Sequence, residues 1–290
     1  MDWYLLATAA CAVAVFAYWY LIYFHAISRG HSGDQICMDK WHEKGAKVPP
    51  PYSWRCLLPL LTYLTGKRWW AVSYPMVLAT PVLVYWYIGG GVRGFAIALA
   101  YMGCTAIYMF NVKWPEYTDG AGHFFFVASL LAMSQNHWSA LILVACAVAT
   151  REALGAALGI VAVASGQWWL LLPIGVAGAA AWLFRPEDPD LRHPLTADNY
   201  RDTIRWWIYK KCKGVAVYHW ATCVQPLRGW PLVVPFMWYH ATPFEQVALL
   251  AYLPLWLFSI PASGVSRHMA YGFILVAPFV AELPIAWLWV

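Results

Sequence analysis

The run 3–24 contains no charged residue, and aromatic side chains gather at its end (Tyr18, Trp19, Tyr20, Tyr23 and Phe24). A helix needs about 20 predominantly apolar residues to cross a bilayer, and aromatics collect where it leaves the hydrocarbon. Similar runs recur at 71–88, 95–112, 121–133, 139–164, 168–184, 247–261 and 268–290. A shorter one at 57–64 is a half-helix, and 215–239 is broken by prolines. The pattern predicts an all-α polytopic membrane bundle of about nine spans, some short or broken. Only 11% of the chain is charged and 62% is hydrophobic. An ordinary soluble domain carries about 25% charged residues, so disorder, a collagenous repeat and a cystine-stapled secreted domain are excluded.

The chain reads as one integral membrane domain, 1–290, with polar loops at 25–55 and 185–213. Residues 199–213 hold Arg201, Arg205, Lys210, Lys211 and Lys213 around Trp206 and Trp207, the pattern of an amphipathic helix on an anionic, cytoplasmic leaflet. If 139–164 is one broken crossing, an odd number of spans separates this stretch from 25–55. The first loop then lies on the outer side. Cys37 with Cys56, and Cys212 with Cys223, can pair if their loops are extracytoplasmic. No nucleic-acid signature is present, and the lipid bilayer is the expected partner.

In the first loop, Asp34 reads either as a helix N-cap or as a carboxylate projecting into a cavity to bind metal or accept a proton. Asp39, His42 and Glu43 share a helical face that is either solvated or able to ligate a divalent ion. Arg55 leads into the apolar half-helix and either snorkels to head groups or holds a phosphate. Asp119 and His123 are four apart: either both face one cavity, or Asp119 caps the helix and His123 makes a structural hydrogen bond. Arg151 and Glu152 interrupt an apolar run; being adjacent, they diverge on a helix, so each needs a separate partner. Arg267 and His268 begin the last span as anchors or phosphate ligands. Glu282 is isolated among apolar residues and has to be paired or protonated.

The early Asp34, a surface helix ending in Lys44-Gly45, and the Tyr52-Ser-Trp-Arg55-Cys-Leu-Leu-Pro59 helix start together resemble the GT-C class of membrane glycosyltransferases. More specifically, they resemble short bacterial multi-pass relatives of that class. Thr150-Arg151-Glu152 and Arg267-His268-Met269-Ala270-Tyr271 resemble later helix starts in such proteins. The resemblance implies transfer of a sugar from a polyprenyl-phosphate carrier to an extracytoplasmic acceptor at a bacterial inner membrane. It implies Asp34 as the catalytic or metal-binding carboxylate, with Mg or Mn as the metal, and Arg55, Arg151 or Arg267 neutralising the departing phosphate. The loop lacks the Asp-x-Asp doublet of the class. Two other classes stay open: a transporter or flippase of a lipid-linked substrate, and an assembly protein packing through faces such as Gly155-Ala-Ala-Leu-Gly159.

Overall fold

The computed structural model describes residues 2–29, 55–66, 69–113, 118–183, 230–259 and 269–283. Among these the chain is helical and holds no strand. The helices are α1 (Trp3–Arg29), α2 (Leu57–Thr65), α3 (Trp69–Tyr87), α4 (Gly91–Gly103), α5 (Phe110–Lys113), α6 (Asp119–Ser134), α7 (Ala140–Thr150), α8 (Glu152–Ala164) and α9 (Leu171–Leu183). After a gap come α10 (Val234–Met237), α11 (Pro243–Ala248), α12 (Tyr252–Ser259) and α13 (Gly272–Ala281). The half-helix expected at 57–64 is α2, closed by Gly66 in the left-handed conformation. Asp34, Asp39, His42, Arg267, His268 and the basic stretch 199–213 lie outside the described residues.

The stretch Trp3–Tyr23 of α1 is long and apolar enough to cross a membrane, and only 11% of its most apolar window is buried. That exposure suits a lipid-facing helix better than the core helix of a soluble protein. The run expected at 95–112 as one straight span is bent by 57°. Cys104 takes an extended backbone and a wide π-type turn, Thr105–Met109, follows. If α4 and the segment after the bend make one crossing, the described residues hold two candidate spans.

Between α3 and α4 the Gly89-Gly90-Gly91 reversal takes φ of 93°, 77° and 63°, which a side chain would strain. Tyr85 locks it: the Tyr85 hydroxyl accepts from Gly91 N at 2.9 Å and donates to Asp2 Oδ2. Asp2 Oδ1 also accepts from the backbone N of Tyr4 and Leu5 at 3.1 and 3.2 Å, so one carboxylate caps α1 and ties it to the end of α3.

The segment 139–164 does not run on. It folds back at Arg151, whose φ of −153° and ψ of 130° are extended between two helices. A continuous helix over 140–164 would hold its ends ~37 Å apart. Instead Gln167 Nε2 donates to Met133 O at 2.8 Å, joining the end of α8 to the end of α6. A Cβ on Gly155 would touch Val148 at 3.4 Å, so α7 and α8 pack side by side. The starts of α6 and α8 therefore share one end of the bundle, and their C-termini share the other.

The same assignment extends to the rest. Tyr23 near the end of α1 bonds Met109 and lies under Lys113, beside the start of α3, where Tyr74 bonds Val112 O. α9 runs from the C-termini of α6 and α8 back to Trp182, beside Glu152. The chain thus leaves α1 and α9 from one end of the bundle. A reversal at Arg151 contributes an even number of passes, so the parity that put residues 25–55 opposite 185–213 is overturned: both attach at the same end. That end holds Arg29, Arg55, Lys113 and Arg151, whereas Arg93 is the basic residue at the other among those placed here.

The Tyr85 hydrogen bond holds the Asp2 carboxyl below its ordinary range. A depressed carboxylate stabilises the fold above its unfolded value, about 3.9, and this is lost as pH falls through the lower folded value. Asp2→Asn therefore unfolds at a lower temperature than wild type at pH 7. The difference closes when both are melted well below pH 4.

Candidate functional site

Two ion pairs meet at the basic end. Arg55, two residues before α2, is 5% exposed. Its Nη2 donates to Glu152 Oε1 at 3.1 Å and its Nε to Glu152 Oε2 at 3.3 Å, a two-pronged pairing across 97 positions of sequence. Arg151, at the α7–α8 break, places Nη1 2.8 Å from Asp119 Oδ1 in the first turn of α6. Arg151 and Glu152 thus point to different partners, as their adjacency requires.

Tyr271, at the N-cap of α13, completes the cluster. Its hydroxyl donates to Asp119 O and Oδ1 at 3.4 and 3.5 Å, and its ring lies 5.8 Å from the Arg151 guanidinium carbon. His123 stacks on that ring at 4.1 Å, with the planes 8° apart. The close approach needs Gly122, where a Cβ would sit 2.2 Å from the Tyr271 hydroxyl. The starts of four helices, α2, α6, α8 and α13, therefore face one another. Each helix start carries partial positive charge, so an anion is favoured there and first-turn carboxylates are held there.

The two pairs differ in access. The side chains of Arg151 and Asp119 are both 3% exposed, whereas Glu152 is 21% exposed beside a 6% exposed Arg55. Glu152 opens onto a groove of about 310 Å³ between α8 and α9, walled by Gly155, Ala156, Gly178, Ala181 and Trp182. Small residues on both helices leave room for a narrow apolar chain, and the ion pair stands at its edge. Gly155 is thus spent within the chain, against Val148 and this groove.

Several buried polar atoms around α6 have no hydrogen-bond partner among the described residues: Ser73 Oγ, Asn111 Oδ1, Thr118 Oγ1, His123 Nδ1 and Arg151 Nε. Arg151 Nη1 belongs with them; it is close to Asp119 but not aligned as a hydrogen bond. Ser73 and Asn111 converge on Gly120, where a Cβ would sit 3.3 Å from Ser73 Oγ and 3.7 Å from Asn111 Cβ. The described residues contain no group of three His, Cys, Asp or Glu suited to a metal, and both clustered carboxylates are engaged by arginines.

Of the residues singled out in sequence, Arg55, Asp119, His123, Arg151 and Glu152 come together. Glu282 does not: it sits past α13 and pairs with Arg93 at 2.6 Å, ~16 Å along the helix from Tyr271. The pairing that Glu282 requires is an open one, half exposed at Arg93. Cys56, a candidate partner of Cys37, carries a free thiol. Tyr271 was visible only as the last residue of a motif. Ser73, Asn111 and Thr118 carried no sequence signal beyond being polar in or beside apolar runs. Comparison with protein-family models, curated proteins and solved structures finds no match to this chain.

Breaking a buried pair strands a charge, at a cost of about 3–5 kcal/mol, whereas removing both partners costs far less. Arg151→Leu should therefore lower the unfolding temperature in detergent sharply. Asp119→Leu combined with Arg151→Leu should recover most of the loss.

Proposed function

We propose that the chain is a multi-pass membrane transferase of GT-C type that acts on a polyprenyl-phosphate-linked sugar. One observation carries this reading. The three segments that resemble that class in sequence, at Arg55, at Arg151-Glu152 and at Tyr271, lie far apart in the chain yet meet in one cluster. The ligand chemistry agrees. The isoprenoid lies in the small-residue groove, and its phosphate meets Arg55 at the edge, competing with Glu152. Arg151, held by Asp119 and Tyr271, supplies the second positive group for the departing phosphate.

Both carboxylates of the cluster, Asp119 and Glu152, are committed to arginines and so are poor proton acceptors. The carboxylate that takes the acceptor's proton is read as Asp34, the residue that the resemblance implies. The bundle is read as lying in a bacterial inner membrane with about nine apolar segments in or across it. Its Lys- and Arg-rich end faces the cytoplasm, by the positive-inside tendency. The acceptor is reached from that side, not from the outer face expected at first.

A transporter or flippase of the same lipid is the second reading. The breaks at Cys104 and Arg151, within otherwise apolar segments, favour it.

Protein in lipid, given radiolabelled polyprenyl-phosphate sugars, should transfer or hydrolyse them. Arg55→Gln should cut turnover about a hundredfold, and Asp34→Asn should abolish it while leaving donor binding intact. Glu152→Gln should tighten donor binding, because Arg55 loses its competitor. Turnover untouched by Arg55→Gln would refute the site. Donor binding without turnover in wild type would replace transfer by transport.

A further inference from the structure

α8 leaves one face uncovered. Glu152, Ala156 and Ile160 are four apart, so they lie on one side of the helix. All three are partly exposed, whereas Leu154, Ala157, Leu158 and Val161 are buried. α9 packs on one flank of α8, where a Cβ on Gly159 would come 3.9 Å from Ile174 Cδ1. α12 packs on α8 as well. The uncovered residues are shared between these two walls. Glu152 and Ala156 line the groove against α9. Ile160, about one turn further on, lines a second cavity of about 620 Å³ with Leu250, Leu253 and Trp256, against α12 and the turn before it.

Glu152, at the ion pair with Arg55, is the charged residue among those lining the two cavities. A lipid whose anionic head meets Arg55 therefore finds an apolar path along α8, leading away from the head. Gly178 on α9 supports this. Glycine is unfavourable inside a helix, yet a Cβ there would meet nothing within 4 Å, so packing within the chain does not demand it. The space it keeps open belongs to the groove. From Glu152 to Ile160 the helix advances ~12 Å. An extended chain advances ~1.2 Å per bond, as a polypeptide backbone does, so two isoprene units of about eight bonds end short of Ile160 and four units pass it.

We infer that α8 is the track of the isoprenoid chain. The chain runs from Arg55 over Ala156 and past Ile160 into the cavity against α12, so Ile160 and Leu253 read the part beyond the second isoprene unit. Gly178 admits the part next to the head. The inference rests on the reading of Arg55 as the holder of a lipid phosphate, and it applies to transfer and to transport alike.

The test is native mass spectrometry of the full-length protein in detergent with geranyl phosphate, of two isoprene units, and geranylgeranyl phosphate, of four. Ile160→Trp and Leu253→Trp fill the cavity from different helices. Each should weaken geranylgeranyl phosphate about tenfold, the worth of about two buried methylenes, and leave geranyl phosphate at its wild-type affinity. Retained geranyl phosphate binding also shows that each variant is folded. Gly178→Leu should weaken both ligands, as should Arg55→Gln. If Arg55→Gln weakens neither, the phosphate reading falls and the inference falls with it. If Arg55→Gln weakens both, yet both tryptophan variants keep the wild-type ratio of the two affinities, the head-group site stands and the track over α8 is overturned.

Discussion

An ionised group in an apolar interior survives only with a counter-charge at hand. The Arg151–Asp119 pair, sealed at 3% exposure on both sides, is where this requirement is most severe. Meeting it pins the break between α7 and α8 against the first turn of α6. Glu152, next in sequence, then faces away and draws in Arg55, which fixes the start of α2. Tyr271 closes the group from α13, and Gly122 gives it the space to do so. The fold-back at Arg151 is thus the geometric consequence of placing two adjacent opposite charges in one dry place.

The same arrangement sorts the helices by direction. α6 and α8 start together at the end that holds the arginine cluster and finish together at the other, where Gln167 joins them. An apolar groove reaches the first, and a mixed pocket edged by tryptophan occupies the second.

Much of the helical layout was legible in sequence. The half-helix at 57–64 and the interruption at Arg151 each rest on local chemistry: apolar run length, and charge within an apolar run. The direction taken after Arg151 was not legible, because hydropathy marks a break but not its angle. The bend at Cys104 was hidden too, since 95–112 contains no residue that forbids a straight helix. The need for separate partners at Arg151 and Glu152 followed from their adjacency, but the partners themselves lie 32 and 97 positions away. Glu282 looked deep because the apolar run continues past it; its neighbour Arg93 on another helix brings it to an open surface.

The cluster stands on Arg55 and Glu152 being direct partners. Charge reversal tests this most directly, by comparing thermal unfolding of Arg55→Glu, Glu152→Arg and the double swap in the full-length protein. Each single reversal should lower the unfolding temperature, and the swap should restore most of the loss, since opposite charges again face each other. Losses that simply add in the double variant would show that the two side chains do not meet, and the cluster on which the site is built would not exist.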